Sequence, residues 1–202
     1  PKMMELLERV KEIAKGAALM TQTKVKTKIL AGVSNLVYNE TLGNIMQCNL
    51  DQLGAPEFSK EEFLYAKKYQ DTLTRKDIES AYSHAGIDLV EGQVLAETVV
   101  AGDVKPVDMG GSTDVADVSW VVPTVSLWGA NYAIGTPFHS WQMTAQGKSS
   151  IAIKGMTHAA MVMAATGSDL ILNKTILDDA WSEHNKTIEK EGYMLPISLS
   201  AS

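Results

Sequence analysis

Four histidines, one cysteine and a Ser-Thr-Asp turn are the groups in this sequence best suited to catalytic or metal-binding chemistry. Most of that chemistry gathers between Gly110 and Trp141, in GGSTDVADVSWVVPTVSLWGANYAIGTPFHSW. His139 stands in a Gly- and Pro-containing loop after an apolar run. Such a loop can present a ring nitrogen to a cleft as a metal ligand or an acid/base, or use it in a structural hydrogen bond. Ser112, Asp114 and His139 occur in the order of a hydrolase triad. The G-x-S-x-G elbow is missing, however, and Ser112 and Asp114 lie too close in sequence to flank one imidazole easily. A helix start explains them better: Ser112 or Thr113 caps it, and Asp114 sits in its first turn. Backbone amides of Gly110, Gly111, Ser112 and Thr113 at such a start could also bind a carboxylate.

Metal arithmetic limits the site. A catalytic zinc takes about three protein ligands, usually His with carboxylates. The sequence has four histidines but no H-x-x-x-H pair and no H-x-D. Either the chain has no metalloenzyme role or most of the ligands lie in other sequence. His84 falls at a helix end, where capping is the simpler role. His158 lies on an Ala-rich helix as a packing residue, and His184 is expected to be exposed. Cys48, in apolar helical surroundings, is expected to be a buried structural thiol.

The elements that must position these groups follow from periodicity. Lys2–Ala18 has apolar residues at helical spacing, and Thr23–Ala31 changes to a period of two, with Lys24, Lys26 and Lys28 on its wet face. A strand polar on one side implies a two-layer sheet, so this pair looks like half of a small α/β module. Asn39 caps a second helix stopped by Gly54, and Gly54-Ala55-Pro56 is a linker-like break. Ser59 with Glu62 and Thr74 with Asp77 are start signals for two more helices. Leu89–Val100 and Trp120–Trp128 read as further strands. Ser149 to about Leu172 is a long helix with an Ala152, Met156, Ala159, Ala160, Met163 stripe. Ile176–Glu191 closes the chain as a helix burying Leu177, Trp181 and Ile188.

Composition bounds the function. The 202 residues are 45% hydrophobic and 21% charged, an ordinary globular balance. The net charge of −6 argues against a nucleic-acid partner, which needs a concentrated basic face. No apolar run is long enough to span a membrane, and one cysteine excludes an internal disulfide framework and suits a reducing cytoplasm. The sequence begins with Pro1, without an initiator Met, as a fragment or trimmed chain would.

Gly111-Ser112-Thr113-Asp114-Val115, His139-Ser140 and the Ala-rich helix from Ser149 together resemble the C-terminal part of the M20 metallopeptidases and amidohydrolases. The matching family segments are G-S-E-D-F, H-S-P and the closing helix. Thr113 replaces an acid and Trp141 a proline. The resemblance covers about residues 1–190 and is most specific from Gly110 to Ala165. It implies an α/β (α+β) fold: the C-terminal portion of a mixed-sheet catalytic domain, with helices packed on it, over 55–202. Residues 1–34 would be the second half of a two-layer lid that dimerises, and 35–54 the returning helix.

On this resemblance His139 matches the last metal ligand, for Zn or Mn, and the other ligands and the general base are absent from the chain. The implied activity is hydrolysis of the amide of an N-acyl amino acid such as p-aminobenzoyl-glutamate, with the fragment inactive alone. The implied partners are a small-molecule amide substrate and, docked through the lid, an identical or paralogous subunit. The alternative is a non-catalytic association module; a complete serine hydrolase using Ser112 is a distant third.

Overall fold

Helix starts are the most sharply specified points of the chain. The computed structural model describes residues 2–102, 111 and 113–193. Their helices are α1 (Lys2–Met20), α2 (Glu40–Leu53), α3 (Lys60–Gln70), α4 (Arg75–Ala85), α5 (Val115–Ser119), α6 (Trp141–Gln146), α7 (Ser150–Leu172) and α8 (Lys174–Glu191). Asn39 caps α2 by accepting from Leu42 N–H. Ser59 with Glu62 and Thr74 with Asp77 close full capping boxes on α3 and α4, each satisfying orphan amides of a first turn. Ser140 and Ser149 do the same singly for α6 and α7. Gly86, at φ 68°, ends α4 in the left-handed conformation that glycine adopts freely.

The expected α/β architecture is not present. Among the described residues there is no strand and hence no sheet. Residues 23–34, 89–100 and 121–130 carry the β-branched or alternating patterns of strands but run as irregular backbone and turns. Alternation fixes which face a strand would bury; it does not supply the neighbour whose amides complete a ladder. Val25 and Ile29 are therefore exposed along with Lys24, Lys26 and Lys28.

The described residues divide into two compact units, one up to Ser34 and one from Asn35 onward. In the first, α1 buries none of its residues, and Glu8–Lys11 and Glu12–Lys15 pair along its wet face at 2.7 Å. In the second, α2, α7 and α8 pack on one another. Asn49 on α2 donates to Asp169 of α7 at 2.7 Å, and Asn39 donates to Ala180 O of α8 at 2.9 Å. Glu183 of α8 accepts from the Glu40 amide at 2.5 Å and from the amide and hydroxyl of Thr41, so one carboxylate covers the start of α2. Burial pushes its pKa up, but these bonds outweigh that and hold it below the usual carboxylate value.

These bonds decide which face of α8 is inside. Ala180 and His184 are buried, while Leu177 and Trp181 are more than a third exposed, so the stripe is rotated from the expected one. His184, expected at the surface, packs its ring edge-on to Trp181. On α7 the buried residues are Ile151, Gly155, Val162 and Thr166, and Met156 and Met163 face out. Gly155 sets that rotation: a Cβ there would lie 2.5 Å from Ala130 O, so only glycine lets the 129–131 backbone come so close. Cys48 is exposed on α2, not buried.

A second cluster joins Ala66 of α3 to Val94, Leu95, Ala133 and Ile151, with Phe58, Phe63, Tyr65 and Tyr69 around it. Beside it Glu62 accepts from Lys154 Nζ and from its own cap amide, Ser59 N–H, both at 2.7 Å, with a further bond from the Ser150 hydroxyl. The Lys154 and Ser150 bonds lead the causes that hold the buried Glu62 carboxyl at a pKa of about 2.

Candidate functional site around His139

The loop that carries His139 is held at both ends. At its start Ile134 N–H donates to Val94 O at 2.9 Å, and Gln70 Nε2 donates to Gln93 O at 2.8 Å and toward Ile134 O. Gly135, at φ 92°, lies against the α4 backbone; a Cβ would meet Ile78 Cα at 3.0 Å. At the loop's end Ser140 Oγ donates to Pro137 O at 2.7 Å and accepts from Met143 N–H at 3.2 Å, which starts α6. Phe138 stands edge-on to both Trp128 and Tyr132, with centroids 5.5 and 6.3 Å away.

His139 itself adopts φ 59°, one of two non-glycine residues at positive φ among those described. Such a conformation costs a side-chain-bearing residue about 1 kcal/mol or more. Its imidazole is exposed and makes no hydrogen bond within the described residues. The structure thus presents an unpartnered ring nitrogen on a backbone held away from its relaxed state.

The glycine turn is placed only in part. Gly110 and Ser112 lie outside the described residues. Gly111 is exposed with open space around it, and Thr113 Oγ1 accepts from Val115 N–H at 3.3 Å at the start of α5. Asp114 occupies the cap position with no side-chain cap bond. The helix that follows is firmly placed: Ser119 Oγ accepts from Val37 N–H at 2.8 Å, and Trp120 Nε1 donates to Asn35 O at 2.8 Å. His158, expected as a packing residue, has Nε2 2.7 Å from Gly54 O and is committed to that contact.

Among the described residues no three His, Cys, Asp or Glu side chains come together as a metal site. A single imidazole fits a metal as one donor of several, and these residues do not complete the set. A cleft of about 530 Å³ lies between the starts of α3 and α7, but Glu62, Ser150 and Lys154 line it and His139 does not. There Lys154 and Ser150 are already bonded to Glu62. Gln70 and Gln146, which hold the loop, were not singled out from the sequence; a glutamine's long-range bonds leave no mark on periodicity.

No protein-family model and no solved structure matches this chain significantly. A comparison with curated proteins finds a similar stretch within a longer protein. The relative is a subunit of the p-aminobenzoyl-glutamate hydrolase of Escherichia coli (strain K12), 39% identical over 202 residues that take in 95% of this chain. The chain spans 42% of that relative's length, less than half. The likeness to a p-aminobenzoyl-glutamate hydrolase subunit is thereby shown over nearly the whole chain. No described helix is long and apolar enough to cross a membrane.

Proposed function

We propose that this chain is the C-terminal part of a metal-dependent, M20-like amidohydrolase that cleaves p-aminobenzoyl-glutamate or a related N-acyl amino acid, and that it is inactive alone. The 39% identity to part of a p-aminobenzoyl-glutamate hydrolase, extending over nearly the whole chain, carries this reading. His139 supplies one donor to Zn or Mn, and the remaining donors and the general base come from polypeptide outside the described residues. When bound, such an ion supplies Lewis-acid polarisation of the amide carbonyl.

This chain's own part is to hold His139 in its strained turn and to flank the substrate. The backbone at Gly110, Gly111, Ser112 and Thr113 contacts a substrate carboxylate at the start of α5. Residues 1–34 pair with an identical or paralogous subunit, in keeping with a relative named as a subunit. A cytoplasmic location belongs to the same proposal.

One observation favours a second reading, a non-catalytic association module: α1 exposes Met3, Leu6, Val10 and Ile13 and buries nothing. Hydrolysis assays separate the two. A longer protein that completes the span of the relative, supplied with Zn or Mn and its partner subunit, is expected to hydrolyse p-aminobenzoyl-glutamate, and the 202-residue chain is not. Turnover by the chain alone would remove the dependence on outside ligands. No turnover by the longer protein would leave the association module standing.

A further inference from the structure

We propose that Gln146 is a positioning residue for His139; the inference deepens the role given to His139 above and rests on it. Gln146 is the last residue of α6 and is 1% exposed. Its Oε1 accepts from Ala133 N–H at 2.9 Å, and its Nε2 donates to Thr136 Oγ1 and to Gln142 O, both at 3.1 Å. Thr136 passes its own hydroxyl proton back to Ala133 O at 2.7 Å. One side-chain amide therefore closes residues 133–146 into a loop, tying the end of α6 to the turn that opens the segment.

His139 sits in the middle of that closed loop. Its ring has no hydrogen-bond partner among the described residues, so the backbone sets the arc that the imidazole can reach. That backbone is at φ 59°, a conformation a free loop would relax out of. Ser140 Oγ restrains the turn locally through Pro137 O and Met143 N–H, and the buried closure by Gln146 is what joins the two ends of the segment around it. Removing it leaves the buried Ala133 amide without a partner and the Thr136 hydroxyl with only its bond to Ala133 O, and the segment rearranges to satisfy the amide. The imidazole moves with it.

The test reads the imidazole directly. In Gln146→Met, the NMR signal of the His139 ring is expected to shift or split, while those of His158 and His184 stay in place and urea unfolding stays cooperative. Gln146→Glu still accepts from Ala133 N–H but sets an acceptor against Gln142 O, and should return only part of the shift. Thr136→Val, which removes the other end of the bridge together with its bond to Ala133 O, should move the same signal and decides the matter if Gln146→Met does not fold. In the longer protein Gln146→Met is expected to lower Zn affinity about tenfold, as loss of a support behind a ligand does.

An unmoved His139 signal in a folded variant overturns the proposal. Equal movement of all the histidines, which marks general loosening, also overturns it, as does unchanged Zn affinity alongside a moved signal. The NMR arm needs no metal. A failure of His139 as a ligand, read by replacing His139 itself, is thus distinguishable from a failure of Gln146 to position it.

Discussion

His139→Ala, made in the longer protein, is expected to lower p-aminobenzoyl-glutamate hydrolysis more than about 100-fold, beyond the usual cost of losing only an outer partner of a ligand. Metal content measured on the purified protein should fall with it. Stability should hardly change, because the ring is exposed and unbonded; a surface substitution of this kind stays within about 0.5 kcal/mol. That combination separates a ligand from a structural histidine, whose loss would lower the melting temperature and leave metal content alone. Unchanged metal and unchanged rate would refute the assignment.

The second large effect is on stability against acid. Glu62 is buried, bonded to Lys154, Ser150 and its cap amide, and titrates at about 2 in place of the usual 4.5. A carboxylate with a lowered folded-state pKa stabilises fully above its unfolded value and loses that contribution as pH falls through the folded one. The shift corresponds to about 3 kcal/mol, present near neutral pH and lost between about pH 4.5 and 2. Glu62→Gln isolates it, since glutamine at the third helical position still completes a capping box with Ser59. Urea unfolding at pH 6 and at about pH 3 should show the native chain losing more stability than the variant. Equal losses in the two proteins would mean the Glu62–Lys154 pair contributes nothing net.

How much was legible depends on the range of the interaction. Caps act within one turn, so Asn39, Ser59 and Thr74 marked helix starts that the structure reproduces. Helix faces were less legible because they answer to distant partners. His184 is inside since Glu183 and Ala180 bond to the start of α2, and Met156 is outside since Gly155 admits the backbone of Ala130. Strands were not legible at all: Thr23–Ala31 alternates as a strand should, yet no described segment pairs with it. At the site, His139 was visible by its residue type and loop. Gln146 and Gln70 were not, because their bonds join residues that no spacing rule connects.

The positive φ of His139 has a consequence for anyone seeking to make this protein more robust. Glycine adopts that conformation without strain, so His139→Gly is expected to raise the unfolding free energy by about 1 kcal/mol, measured by urea denaturation. A screen for thermal tolerance would therefore enrich glycine at this position and discard the proposed metal donor in doing so. The loop trades durability for a chemical group, and selection for one property works against the other at a single residue.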